Sequence, residues 1–239
     1  MQQELDIPLI EECGSEPHGP VGSTGVVDAR WNVLNLYAGL GGNRKKWENV
    51  NVTAVEMEEQ IADVYRQQHP DDKVIVGDAH EYLLAHYAEY DFIWTSPPCQ
   101  THSRMAKATR HPLKRYPDMS LYQQILFLQH YAKGKWVVEN VTPYYEPLIP
   151  GHRVGRHIFW ANFWMPVREI KTPRGFMEEG TLEYAEKLKA WLGIQYEGAI
   201  YYKDNHDPMQ VLRNCVHPNV GAQILQAARA STKLLPPQN

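Results

Sequence analysis

The sequence predicts an α/β fold with a doubly wound, parallel sheet, on two observations. From Trp31 to about residue 150, short apolar runs of strand length alternate with segments of helical spacing. The residues best suited to chemistry, Glu56, Asp78, Cys99 and Glu139, each fall at or just after the end of such a run. That is where an open α/β sheet keeps its ligands. The 239 residues suffice for one large domain, or one domain with a small appendage.

The elements follow in order. WNVLNLY (31–37) is the first strand, and AGLGGNRKKWEN (38–49) reads as a glycine turn entering a helix. VNVTAVE (50–56) is the second strand, and MEEQIADVYRQQHP (57–70) a helix ended by its proline. KVIV (73–76) is the third strand, HEYLLAHYAEY (80–90) a helix, and DFIWT (91–95) the fourth strand. TSPPCQTHS (95–103) comes next, where two successive prolines fix φ and remove two N–H donors. It is therefore a stiffened turn, not strand or helix interior. SLYQQILFLQHYAK (120–133) has helical spacing, and KWVVEN (135–140) is the fifth strand. After residue 150 the rhythm changes. HIFWANFWMPV (157–167) is aromatic and strand-like, LEYAEKLKAWL (182–192) is an amphipathic helix, YEGAIYYKD (196–204) is a strand candidate, and NVGAQILQAARAS (219–231) closes as a helix. Residues 1–28, rich in Pro, Gly, Ser and acid, read as a flexible acidic tail, and 161–208 as a small appended lobe.

With 43% hydrophobic and 22% charged residues the composition is that of a globular protein in water. No apolar run approaches a membrane span, and the amino terminus has neither the basic start nor the apolar core of a secretory signal. Three scattered cysteines, Cys13, Cys99 and Cys215, favour a reducing, cytoplasmic setting over a disulfide framework. The net charge of −4 argues weakly against nucleic acid, but its distribution matters more. Residues 101–117 hold five Lys/Arg and no acid, and residues 151–175 hold Arg153, Arg156, Arg168, Lys171 and Arg174 against Glu169 alone. Such local basic segments have the form of a phosphate footprint, although a merely solvated loop has the same composition.

Each candidate site residue has a plain reading beside the functional one. In NLYAGLGG (35–42), glycines let the backbone approach a ligand and a helix amino terminus offers N–H groups to an anion; an ordinary strand–helix turn also uses glycine. The spacing is not G-x-G-x-x-G. Glu56 stands where nucleotide folds place an acid on ribose hydroxyls, and Asp78 follows the third strand; either alone is equally a helix cap or a surface acid. Cys99 is a small buried hydrophobe or a nucleophile, and Glu139 a buried acid or a proton donor to a ring nitrogen. A metal site of Cys99, His102 and His111 lacks a fourth ligand at suitable spacing, so no metal is expected.

The series NLYAGLGG, AVEM, VGD, SPPCQ, ENV and RNCVHPNV resembles, in order, the signature motifs of the DNA cytosine-5 methyltransferases, over residues 31–160 and 209–230. The resemblance implies a Rossmann-like, S-adenosylmethionine-dependent methyltransferase fold. Residues 29–160 with 209–232 would form the catalytic domain and 161–208 a small target-recognition region. Cys99 would attack C6 of a cytosine extruded from double-stranded DNA, Glu139 would hold and protonate N3, and C5 would take the methyl group. Tyr37 and Ala38, Gly39, Leu40, Gly41 and Gly42 would face the methionine part of the donor. Glu56 would bind the ribose, Met57 the adenine ring and Asp78, beside Ala79, its amine, while Pro98 would line both pockets and Asn214 close the donor site. The segment from Gln100 and Ser103 through Arg104, Lys107, Arg110, Lys114 and Arg115 corresponds to the mobile loop that closes on DNA. HRVGRHIFW approximates the family's arginine motif, with Arg156 for the target nucleotide and Arg153 for a phosphate; Lys171 and Arg174 are candidate base readers.

This sequence departs from the family at Tyr37 and His102, where phenylalanine is usual, and at Arg213, where glycine is usual; an acid pair, a DNA contact and an altered donor pocket are the open readings of Arg213. A recognition region of about fifty residues implies a short or relaxed target sequence. The resemblance further implies a monomer with no membrane association and a possible restriction endonuclease partner encoded elsewhere. The rival readings are methylation of a transfer-RNA-like substrate, an amino-methyltransferase with a Pro-Pro-aromatic motif, and an inactive nucleic-acid-binding relative.

Overall fold

The computed structural model describes residues 30–104, 116–177, 180–202 and 207–231. Its centre is a seven-stranded sheet of order β3-β2-β1-β4-β5-β7-β6. The strands are β1 (Trp31–Leu36), β2 (Val50–Glu56), β3 (Lys73–Val76), β4 (Phe92–Thr95), β5 (Lys135–Val141), β6 (His152–Val154) and β7 (His157–Ala161). The first five are parallel; β7 runs antiparallel to β5, and β6 antiparallel to β7. The chain leaves β1 toward β2 and β3, then returns to β1's other side as β4. The strand order therefore reverses between β1 and β4, which opens a crevice beyond their carboxyl ends.

Both faces of the sheet are covered, because apolar side chains occupy both parities of the strands. Val33, Val52, Phe92, Trp94, Val137 and Phe159 pack on one face with Val220, Ile224 and Leu225 of the last helix, Pro218–Ala230. Leu34, Leu36, Val55, Ile93, Trp136 and Val138 pack on the other. There they meet Leu83 of the helix Ala79–His86 and Leu121, Ile125 and Leu128 of the helix Ser120–Tyr131. Among the described residues the α-helices named here are, in chain order, α1 (Glu59–Gln68), α2 (Ala79–His86), α3 (Ser120–Tyr131), α4 (Leu182–Leu192), α5 (Met209–Arg213) and α6 (Pro218–Ala230). Their ends follow local chemistry. α1 stops before Pro70, whose ring disfavours helical His69. Thr181 caps α4 by accepting from Tyr184 N, and Gly193 ends it at φ 64°.

Two expected elements are not formed. Residues 38–49 make no helix; Gly41 N, Arg44 N and Trp47 N bond the carbonyls three residues back, in successive turns. The cause is backbone handedness: Tyr37, Gly39 and Gly41 have φ of 54°, 55° and 74°, which a right-handed helix excludes. Arg44 then fastens the turns, with Nε and Nη2 both 2.9 Å from the Asp72 carboxylate. Among the described residues of 196–204 there is no strand; Gly198 turns the chain at φ 75° and Ile200 is buried. The aromatic run at 157–167 is strand only to Ala161. Asn162 ends it by accepting from Trp136 N at 3.0 Å and donating to Gly134 O at 2.9 Å.

The segment after residue 160 is not set apart from the sheet. Phe163 and Met165 join the core of the α6 face. Phe176, Tyr184, Leu188, Leu192 and Ile200 share another core cluster with Leu40 of the glycine turn and Ile61 of α1. Among the described residues no helix is long and apolar enough to cross a membrane. The acidic tail, 1–28, lies outside the described residues.

Candidate active site

One cavity opens at the crevice between β1 and β4. It is lined by the glycine turn (Tyr37, Ala38, Gly39, Leu40, Gly42), by Glu56 and Met57 after β2, and by Ala79 after β3. Pro98, Cys99 and Gln100 follow β4, Glu139 lies on β5, Arg156 precedes β7, and Asn214 follows α5. Side chains and turns from five parallel strand ends thus meet in one space, because parallel strands all deliver their carboxyl ends to the same edge.

On the donor side, Glu56 is 5% exposed and organises the turn. Its Oε2 accepts from Gly39 N at 2.8 Å, and its Oε1 from Met57 N at 2.9 Å and Glu58 N at 3.1 Å. Burial raises its pKa against these three donors, which lower it. A Cβ built on Gly39 would meet nothing within 4 Å, so this left-handed residue leaves its bare backbone open to a ligand. Gly42 serves packing as well: its Cβ would stand 2.7 Å from Val216 O and 3.0 Å from Cys215 Cβ of the late motif. Tyr37 accepts a hydrogen bond from Gln124 Nε2 at 2.7 Å, and burial holds its hydroxyl protonated, with a pKa of about 12.

Two residues expected at the donor are placed otherwise. Gly41 does not line the cavity; a Cβ there would lie 2.5 Å from His69 Nε2 and 2.8 Å from Tyr65, so its work is close packing on α1. Asp78 caps α2, with Oδ1 accepting from His80 N at 2.7 Å and Glu81 N at 2.9 Å, while its neighbours Gly77 and Ala79 line the cavity.

On the acceptor side, Cys99 begins a tight turn, its carbonyl accepting from His102 N and Ser103 N, both at 3.0 Å. Asn140 fastens that turn to β5, with Nδ2 donating to Pro97 O at 3.0 Å and Oδ1 accepting from Val141 N at 3.0 Å. This is the structural reason for an asparagine after Glu139, and the sequence reading had not assigned it. Burial pushes the Glu139 carboxyl up to about 7, against the Ser96 hydrogen bond and the Arg156 cation, which pull it down. Burial and then the negative Glu139 push the Cys99 thiol up to about 11, against Arg156. Near neutral pH the pair therefore holds protons readily, and a negative charge on either group opposes one on the other. His157, also in the cavity, has Nε2 3.7 Å from Glu139 Oε1. Burial, then Arg156, depresses its pKa well below the usual value, so it is neutral and forms no ion pair. Its place at the start of β7 carried no motif signal.

Arg156 reaches across to the late motif, donating from Nη2 to Arg213 O and, at 3.3 Å, to Cys215 O; its guanidinium lies 4.8 Å from the Phe176 ring centroid. Of the readings left open for Arg213, the structure contains the acid pair. Its Nη1 lies 3.0 Å from Asp207 Oδ2 and its Nε donates to Phe176 O at 2.8 Å. His102 is buried, its Nδ1 2.6 Å from Tyr145 Oη, so it keeps the packed ring of a phenylalanine and adds a polar tie. Among the described residues no group of three His, Cys, Asp or Glu side chains gathers to hold a metal.

The basic residues are spread out. Arg153 is exposed on the edge strand β6, with Nη2 3.7 Å from Glu146 Oε2. Lys171 and Arg174 are exposed on the loop and turn before α4, and Arg104 is exposed beyond the Cys99 turn. Ser103 sits half-buried in that turn. Lys107, Arg110, Lys114 and Arg115 lie outside the described residues.

The charge coupling at the cavity makes a direct prediction. Iodoacetamide alkylation of Cys99, followed by mass spectrometry across pH, is expected to have its midpoint near 11 in the wild type. Glu139→Gln removes the opposing negative charge and moves that midpoint downward. A midpoint unchanged or moved upward would contradict the coupling.

The fold and the cavity define a Rossmann-like, S-adenosylmethionine-dependent methyltransferase. Residues 31–143 match the family described as C-5 cytosine-specific DNA methylase. S-adenosylmethionine is accordingly the methyl donor, and the open backbone at Gly39 beside the Glu56 carboxylate fits it. No curated protein matches the chain. Among solved structures, a methyltransferase of Entamoeba histolytica, EhMeth, is 12% identical over 83% of this chain and 98% of its own, at a TM-score of 0.46. A mutant of Spodoptera frugiperda DNMT2 is 13% identical over 83% and 99%, at 0.45. The putative methyltransferase yhhF of Escherichia coli is 16% identical over 56% and 76%, at 0.37. At these scores the likenesses carry no functional argument.

Proposed function

We propose that the protein methylates C5 of a cytosine extruded from double-stranded DNA, through a covalent bond between Cys99 Sγ and C6 of the base. The observation that carries the reading is that Cys99 and Glu139 share one cavity with Glu56 and the open Gly39 turn, so donor and acceptor groups meet in a single space. The match of residues 31–143 to a DNA methylase family favours DNA as the substrate.

The chemistry follows from the charges. Cytosine C6 is a poor electrophile until N3 is protonated. A carboxyl with a pKa of about 7 is substantially protonated at neutral pH and is suited to give that proton. As the Sγ–C6 bond forms, the C5–C6 double bond opens and its electrons move to C5. S-adenosylmethionine, held by the Gly39 turn and Glu56, would supply an electrophilic methyl group there, its sulfonium becoming a neutral thioether. Loss of the C5 proton to a base restores the double bond, expels Cys99 and returns the N3 proton. Splitting the substitution in this way replaces one difficult step by two easier ones. Arg156, whose positive charge pulls both the Cys99 and the Glu139 pKa down, favours the thiolate needed for attack.

Duplex DNA carrying 5-fluorocytosine at many positions tests this reading. Fluorine at C5 cannot leave as a cation, so the Cys99–C6 bond cannot be broken by elimination after methyl transfer. The expected result is a denaturation-resistant protein–DNA adduct, formed only with S-adenosylmethionine present and mapped by mass spectrometry to Cys99. An adduct with transfer RNA and none with DNA would reassign the substrate. Methylation at N4 of cytosine or N6 of adenine would overturn the carbon chemistry.

A further inference from the structure

The segment 161–208, expected to serve the nucleic acid, also reaches the donor site. Ile200 is buried in the same apolar cluster as Leu40 of the glycine turn, with Ile61 of α1 and Leu188 and Leu192 of α4. Two residues further on, Tyr202 is itself half-buried against that cluster and lines the cavity with Tyr37, Glu56, Met57 and Cys99. We propose that Tyr202 is a donor-binding residue, whose phenolic hydroxyl donates a hydrogen bond to S-adenosylmethionine at the Glu56 end of the cavity.

This rests on the reading of the cavity as the donor pocket, and it adds a group that none of the family motifs contains. The need for it is chemical. Glu56 is acceptor-only when ionised, so it satisfies hydroxyl hydrogens of a bound ribose but not the lone pairs of the ribose oxygens. The backbone N–H of Gly39 is already given to Glu56. The neutral O–H of Tyr202, which lines the same cavity, complements that acceptor-only carboxylate with a donor. Burial, with Glu56 and Glu58 nearby, holds the Tyr202 hydroxyl pKa up to about 12, so it keeps its proton throughout the working range. Ile200, buried in the cluster that contains Leu40 of the glycine turn, sets the place of the tyrosine.

Calorimetric titration of S-adenosylmethionine into the full chain, without nucleic acid, tests the proposal. Tyr202→Phe keeps the ring and its packing, and is expected to raise Kd about fivefold, the effect of one neutral hydrogen bond. Its urea midpoint should equal that of the wild type, which separates lost binding from lost folding. Tyr202→Ala, losing ring and hydroxyl, is expected to raise Kd by about tenfold or more. Wild-type affinity in Tyr202→Phe would overturn the hydrogen bond while leaving the donor pocket intact. Failure of the wild type to bind S-adenosylmethionine would overturn the donor-pocket reading itself, and this proposal with it.

Discussion

Cys99→Ala is expected to abolish methyl transfer while leaving the donor site able to fill. With labelled S-adenosylmethionine and mixed-sequence duplex DNA, nucleoside mass spectrometry should detect 5-methylcytosine from the wild type and none from the variant. The loss should be at least about 10⁴-fold, as when a nucleophile is removed from a covalent mechanism. The size of the effect has a structural reason. In the proposed mechanism the electrons of the C5–C6 double bond stay in the ring when no bond forms at C6, whatever Glu139 contributes. The variant should fold normally, because Cys99 is half-buried on a turn held by other groups, notably Asn140 to Pro97 O. S-adenosylmethionine Kd is the control: an unchanged Kd with lost product assigns Cys99 to chemistry. Product formation near the wild-type rate would overturn the covalent route.

Glu139→Gln is expected to raise stability and lower activity together. In the folded protein burial lifts the carboxyl from its ordinary 4.5 to about 7, so the native state holds this proton more tightly than the unfolded chain does. Below about pH 4.5 the group is protonated in both states and contributes no difference. As pH rises from there through 7, the unfolded chain releases the proton first, and the native state loses stability relative to it. Above pH 7 the ionised, buried carboxylate costs roughly 3 kcal/mol. A glutamine cannot ionise and escapes that cost. Urea denaturation should thus find variant and wild type alike near pH 4.5 and the variant more stable at pH 8, by up to roughly 3 kcal/mol. Methyl transfer should fall by roughly 10²–10⁴-fold, since glutamine can bond N3 but cannot protonate it. A stability gap that shrinks with rising pH would contradict the assignment. Stability given up at a working residue is a common cost of catalysis.

These effects turn on neighbours that no linear reading brings together. The Glu139 carboxyl titrates near neutrality because burial at the strand end lifts it further than Ser96 and Arg156 pull it down, not because of its motif. Arg156 acts on both Cys99 and Glu139 from the turn between β6 and β7, and is held there by the carbonyls of Arg213 and Cys215, more than fifty residues away.

By itself the sequence determined the parallel strands β1 to β5 and which residues stand at their carboxyl ends, Cys99 and Glu139 among them. Strand and helix periods are local signals. A residue at a strand's carboxyl end is brought to one edge by parallel topology whatever the rest of the chain does. Only the tertiary structure decided the remainder. Residues 38–49 have the composition of a helix start, yet left-handed backbone at Tyr37, Gly39 and Gly41 and the Arg44–Asp72 pair hold them as turns. Asp78 and Gly41 match donor-binding motifs, yet one caps α2 and the other packs against Tyr65 and His69. Tyr202 stands in no motif, yet the apolar cluster around Ile200 carries it into the cavity. Handedness, close packing and long-range burial depend on which atoms meet in space, and the order of residues along the chain does not state that.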